Sequence, residues 1–157
     1  MTGRAEVARL EKQLDAAFQR VKSLGPAVDI EVQSDFARYL CVLVSGYLEK
    51  SVAELMIEHA RKNGATTLQR FVEYRTRQFA NANSQRLADL VGSFHSEWRR
   101  GLEVFLVDDV KDAVDSVVNL RNTIAHGGTV GVTYRRVLGY YELVKKVVAH
   151  VAQLCGA

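Results

Sequence analysis

Proline occurs once and cysteine twice among the 157 residues, and the longest apolar run is the six residues from Tyr39 to Val44. Each scarcity excludes a class of protein. Six apolar residues fall far short of the ~20 that a membrane-crossing helix needs, so no membrane role is expected. Cys41 and Cys155 stand in apolar stretches without metal-ligand spacing, which argues against a disulfide framework and for a reducing compartment. No signal pattern marks the charged start Thr2-Gly3-Arg4-Ala5-Glu6, and a cytoplasmic location is expected. There is no His-Glu-x-x-His, no Cys-x-x-Cys and no glycine-rich phosphate loop. Metal hydrolysis and nucleoside triphosphate chemistry are therefore not expected, and neither a cofactor nor a metal is called for. Charge of one sign is also scarce: 21 basic against 18 acidic residues leave a formal +3. A nucleic-acid site must then come from local clustering rather than from the overall field.

What is present is apolar residue at helical spacing. With 48% hydrophobic residues, the length suits one domain spanning 1–157 with a real core. Few alternating stretches and a single proline point to an all-α fold, an antiparallel helical bundle of about five to seven helices. Val7, Leu10, Leu14, Ala17, Phe18 and Val21 predict a first helix over 5–24, ended by Gly25-Pro26. Asp29–Gln33 reads as a connector and Ser34 as the cap of a central helix over 35–62, the most apolar element. Ser45-Gly46 within it costs some stability but allows a neighbouring backbone to approach closely. A third helix from Thr66 or Thr67 to about Phe79 would bury Leu68, Phe71, Val72 and Phe79. Leu87, Leu90, Val91, Phe94 and Trp98 continue in register with a break near Gly92-Ser93, and a last helix over 133–154 packs through Val137, Tyr140, Tyr141, Val144, Val147, Val148, Val151 and Leu154.

The stretch Leu120–Gly128, Leu-Arg-Asn-Thr-Ile-Ala-His-Gly-Gly, closes another long helical pattern. Two glycines after the last periodic residue end a helix, because glycine takes the left-handed cap without steric cost. At about 100° per residue, Asp108, Asp112, Asp115, Asn119, Asn122 and His126 form one polar stripe, with Val110, Val114, Val117, Val118, Leu120 and Ile124 opposite. Asp108-Asp109 places negative charge at the positive helix end. Arg121 breaks the pattern by lying among the apolar residues. A guanidinium there needs a carboxylate from another helix, a second subunit or an anionic ligand. Arg121 and His126 are roughly 140° apart on an ideal helix, whereas Asn122 shares the face of His126 and is placed to orient the imidazole. Two readings of the pair remain open: a reactive site, or a histidine resting on the helix dipole beside a buried ion-pair arginine.

Arg121-Asn122-Thr123-Ile124-Ala125-His126 resembles the hallmark of the HEPN family (higher eukaryotes and prokaryotes nucleotide-binding), with asparagine after the arginine as the family prefers. Phe36–Glu49 and the linking piece Ser93-Phe94-His95-Ser96-Glu97-Trp98-Arg99 are similar in particular to the RiboL-PSP type of HEPN domain. The resemblance implies a HEPN-like helical fold, a homodimer, and a metal-independent endoribonuclease that leaves ends of the 2′,3′-cyclic phosphate type. It further suggests a toxin or an antiviral defence effector, restrained by an antitoxin or defence-complex partner.

The residues suit that chemistry. Histidine titrates near working pH, with an unperturbed pKa of about 6.5, and so serves the proton steps. Arginine is permanently cationic and its fork matches two phosphate oxygens. One motif per chain supplies one histidine, whereas simultaneous acid and base work needs two proton-transfer groups; a two-fold dimer would supply both and explain Arg121 on an apolar face. The expected catalytic residues are thus Arg121 and His126, with Asn122 as orienter. The alternative is a non-catalytic HEPN domain binding RNA or a protein partner.

Other residues carry weaker signals. Glu49 lies off the main apolar arc and either faces the Arg121 region or is simply solvated. Arg70, Tyr74 and Arg77 share a side of the third helix, read either as a charged surface or as a single-strand RNA contact. His59, His95 and His150 have no partner at ligand spacing and are expected to pack or to face solvent.

Overall fold

A computed structural model describes residues 2–128 and 130–156. Among the described residues there are seven helices and no strand: α1 (Gly3–Lys22), α2 (Ile30–Asn63), α3 (Thr66–Arg77), α4 (Ser84–Phe94), α5 (Ser96–Phe105), α6 (Asp108–Ala125) and α7 (Tyr134–Leu154). The fold is all-α, as the sparse proline and helical periodicity require.

α2 is the axis, flanked by α1, α3, α6 and α7. It starts earlier than expected. Asp29, not Ser34, is its cap, its Oδ1 accepting the Glu31 amide at 2.8 Å, so most of the supposed connector is helical. Leu40, Cys41, Val44, Leu48, Val52 and Leu55 are fully buried in a core shared with Phe18 of α1, Val117 of α6 and Tyr141 of α7. Phe18 stacks on Tyr141 with ring centroids 4.9 Å apart, and Tyr47 meets Tyr141 edge-on at 5.8 Å. Both hydroxyls donate to α1 carboxylates, Tyr47 to Glu11 and Tyr141 to Asp15, each at 2.6 Å. The rings thus stay in the core while their polar tips reach its rim.

Three details of packing go beyond the helical pattern. α3 buries Thr76 and half-buries Val72, but Leu68 and Phe71 point outward at 60% and 62% exposure. Polar anchors set that rotation: Gln69 donates to the Gly64 and Arg61 carbonyls, and Arg77 pairs with Glu54 and Glu73. Gly46 has no atom within 4 Å of where a Cβ would stand. It borders an open groove of about 430 Å³ between α1 and α2 rather than admitting a close backbone. The α4–α5 break, expected near Gly92-Ser93, falls two residues further on at His95, within the linking piece 93–99. His95 is extended (φ −157°) and ends α4 while its Nδ1 caps α5 by accepting the Glu97 amide at 3.2 Å. Gly92 stays helical, leaving room for the Arg99 side chain that a Cβ would crowd at 3.1 Å.

Candidate functional site

α6 is aimed by contacts along its length. Asp115 accepts the Ser84 amide at 2.8 Å and its hydroxyl at 2.9 Å, fastening α4 to α6, and Lys111 adds an ion pair at 2.9 Å. Burial acts to raise the Asp115 pKa, but the Ser84 bonds and the Lys111 charge outweigh it and the carboxyl is held below its ordinary value. Further along, Val117 lies beside Cys41 of α2.

The helix then ends as its two glycines dictate. The Gly127 amide bonds the Ile124 carbonyl at 3.0 Å and the Gly128 amide bonds that of Thr123 at 2.9 Å, the paired bonds of a Schellman cap. Gly127 has φ +76°, which favours glycine. Gly128 is required for space, since a Cβ there would stand 2.6 Å from Thr123 Cγ2 and 3.0 Å from its carbonyl oxygen. His126 is therefore fixed as the last residue of the helical path, with its amide on the Asn122 carbonyl at 3.1 Å and its side chain exposed.

Arg121 is half-buried on the inward side of α6. Among the described residues no carboxylate pairs with it; its guanidinium donates to Asn122 Oδ1 at 3.2 Å. The intrachain ion pair that the sequence left open is absent among the described residues. Asn122 therefore engages Arg121 with its side chain and His126 only through its backbone. The imidazole makes no side-chain hydrogen bond among the described residues.

Glu49 belongs elsewhere. Its Oε1 accepts the Asn81 amide at 3.0 Å, where Asn81 has φ +56°. Cys41 meets Val117, while Arg38 reaches Val130 beyond the end of α6, so α2 and α6 run antiparallel and Glu49 lies toward the end opposite Arg121. It supports the turn before α4. His59 packs edge-on against Trp98 at 4.7 Å, and His150 stacks on Phe105 at 4.4 Å, as expected of packing residues. Among the described residues no cluster of histidine, cysteine and carboxylate suits a metal, and no helix is long and apolar enough to cross a membrane.

Sequence reasoning passed over three arginines near the motif. Arg38 donates to the Val130 carbonyl at 3.2 Å and to Ser34 Oγ at 3.0 Å, and pairs with Asp35, tying the segment after the motif to α2. Arg135 and Arg136 are exposed in the first turn of α7 without an ion pair among the described residues. Cations at a helix N-terminus oppose the dipole, and that conflict was visible as two arginines just after the cap Thr133.

The RiboL-PSP-HEPN family model matches residues 5–157. The chain belongs to the RiboL-PSP-HEPN family. Comparisons of this HEPN domain with curated proteins and with solved structures gave no match. The family suggests a role in cleaving or binding RNA, and the end of α6 is where this HEPN domain presents an exposed imidazole and a half-buried guanidinium that has no counter-charge among the described residues.

Proposed function

We propose that this HEPN domain is a metal-independent endoribonuclease acting on single-stranded RNA, with Arg121 and His126 of two copies forming one composite site. The observation that carries the reading is Arg121: a half-buried guanidinium on the inward face of α6 that pairs with no carboxylate among the described residues. Such a group gains from an anion, and a transferring phosphate offers two oxygens to its fork.

In the reaction one His126 imidazole takes the proton of the 2′-hydroxyl as its oxygen attacks phosphorus. The bond from phosphorus to the 5′-oxygen breaks, and the imidazolium of the other copy gives that oxygen a proton. The products are a 2′,3′-cyclic phosphate and a free 5′-hydroxyl, with the two histidines left in exchanged protonation states. Arg121 counters the charge that builds on the phosphoryl oxygens, and Asn122 holds the guanidinium in place. Arg135 and Arg136 supply further phosphate contact at the start of α7.

Support for a second copy comes from α2. Phe36, Tyr39 and Val42 are 36%, 52% and 38% exposed on the part of α2 level with the motif end of α6, Tyr39 and Val42 on the side that borders the α1–α2 groove, an apolar surface that a partner would cover. A toxin or defence-effector role, with an antitoxin holding the site closed, extends the same reading.

The test is incubation of single-stranded RNA in EDTA with the parent protein, Arg121→Ala and His126→Ala, alongside sedimentation for the dimer. Cleavage by the parent and loss in both variants is expected. Cleavage that persists in both variants removes the site. RNA binding without cleavage by any form favours a non-catalytic binding domain, and neither activity leaves a structural helical dimer.

A further inference from the structure

The outward side of α3 is out of keeping with a solvated surface. Leu68, Phe71 and Tyr74 are 60%, 62% and 65% exposed, on a helix that also displays Arg70 and Arg75. At about 100° per residue, Arg70, Tyr74, Phe71 and Arg75 fall in that angular order within an arc of about 140°, with Leu68 at its edge. Glu73, the one acidic residue of α3, lies outside the arc and is occupied by Arg77 and Arg61. Among the described residues neither Arg70 nor Arg75 makes an ion pair. Arg77, by contrast, is held by Glu54 at 3.2 Å and by Glu73 at 3.0 Å, so the surface differs from the Arg70–Tyr74–Arg77 stripe suggested by spacing alone.

We propose that this face of α3 is a second contact for single-stranded RNA, in which Phe71 and Tyr74 stack bases while Arg70 and Arg75 hold the flanking phosphates. The proposal rests on the reading of RNA as substrate. Two aromatic rings three residues apart are neighbours on a helix, and uncountered guanidiniums at both edges match a polyanion with flat faces. A protein partner fits less well. α3 has 12 residues, so half the side of a cylinder about 18 Å long and 10 Å across offers on the order of 300 Å², against the ~800 Å² per partner of a standard complex.

The position makes this a contact for substrate length rather than for chemistry. α3 lies over the Glu54–Arg61 stretch of α2, whereas Arg38 on α2 marks the motif end. Glu54 is sixteen helical steps from Arg38, about 24 Å at 1.5 Å per residue. A strand bound at both places must span that distance.

The test measures fluorescence anisotropy of an unstructured oligoribonucleotide of about 15 nucleotides and of a trinucleotide. All proteins carry His126→Ala to keep the RNA intact. Phe71→Ala and Tyr74→Ala should each weaken binding of the long strand at least fivefold and, with His126 intact, leave cleavage of the trinucleotide, which cannot reach both places, unaffected. Phe71→Trp should bind as the parent does. Arg70→Ala with Arg75→Ala should reduce the slope of log affinity against log salt by about 1.4, at about 0.7 per phosphate of a single strand. In proteins with His126 intact, the α3 changes should raise KM for the long strand and leave kcat in place. Parent-like binding by the α3 variants, while cleavage still depends on Arg121 and His126, overturns this proposal alone. A change in self-association in those variants also overturns it, since the face would then join copies of the chain. A parent that neither binds nor cleaves RNA removes the nuclease reading and this contact with it.

Discussion

Arg121 Nη1 donates to Asn122 Oδ1 at 3.2 Å, so adjacent residues of α6 are joined by their side chains while His126 is held through its backbone alone. The guanidinium is oriented before any anion arrives. Asn122→Ala should lower kcat/KM for RNA about tenfold, equivalent to about 1.4 kcal/mol for one hydrogen bond to a charged group. Asn122→Asp should cost more, because the new carboxylate would neutralise Arg121 and repel phosphate. Steady-state kinetics on all three proteins tests this order within the proposed nuclease reading, and an Asn122→Asp protein as active as the parent would count against it.

The glycine cap gives a prediction about stability. Gly128→Ala brings a Cβ to 2.6 Å from Thr123 Cγ2 and should destabilise by roughly 1–3 kcal/mol, as overpacking does, or about 2–4 °C in Tm per kcal/mol. Thr123→Ser removes that methyl. In a double-mutant cycle the pair should therefore couple by at least about 0.5 kcal/mol. Strict additivity in thermal melts would show that the cap is not packed this way.

Arg135 and Arg136 oppose the dipole of α7, so removing them should not weaken the fold. Arg136→Ala is expected to leave stability unchanged or to raise it by about 0.3–1 kcal/mol, while lowering RNA affinity and flattening its salt dependence. Denaturant unfolding and anisotropy titrations at several salt concentrations report the two effects separately. Lower stability with unaltered RNA binding would contradict the assignment.

Alkaline unfolding follows from the core. Burial pushes the Cys41 thiol up to about 11 and the Cys155 thiol up to about 12. Burial, and then the bonds to Glu11 and Asp15, raise the Tyr47 and Tyr141 hydroxyls. A raised folded-state pKa means stability fully present below the unfolded value and lost as pH rises toward the folded one. Denaturant midpoints should therefore hold up to about pH 8.5, the unperturbed cysteine value, and fall above it. The fully buried Cys41 thiol adds up to about 1.4 kcal/mol per pH unit to the slope, and the half-buried Cys155 thiol adds less because solvent reaches it. Cys41→Ala should remove about one proton from that slope, and an unchanged slope would show that Cys41 does not contribute.

At the acid end, Asp115 has the opposite sign. Its depressed pKa supplies stability that is present above the unfolded value of about 3.9 and lost as pH falls through the folded one. Asp115→Ala should cost about 1–3 kcal/mol at neutral pH by orphaning the Ser84 amide and hydroxyl and should flatten the acid limb. Urea unfolding from pH 2 to 7 measures both. A variant whose acid limb matches the parent's would locate the titrating group elsewhere.

The helical parts of this molecule were legible because apolar spacing repeats within a single helix. Leu14, Ala17 and Phe18 of α1, and Val137, Tyr141, Val144 and Val148 of α7, are buried as their spacing requires, and Gly127-Gly128 ends α6 where the sequence says. Differences arose where the deciding partner lies outside the helix being read, or where two residues compete for one role. Spacing alone cannot choose which side of α3 faces inward when Leu68, Phe71 and Val72 are all apolar; the choice was made by Gln69 on the Gly64 carbonyl and by Arg77 on Glu54. Asp29 outranked Ser34 as the cap of α2 because both are good caps and the helix was free to extend.

By itself the sequence determined the all-α class, the motif Arg121 to His126 and the end of its helix, since periodicity and glycine caps act over a few adjacent residues. Only tertiary structure decided that Arg121 is left without a counter-charge among the described residues, that Glu49, midway along α2, supports Asn81 away from Arg121, and that Phe71 and Tyr74 face outward. Those outcomes depend on which side chains meet across helices, and a one-dimensional pattern holds no record of that competition.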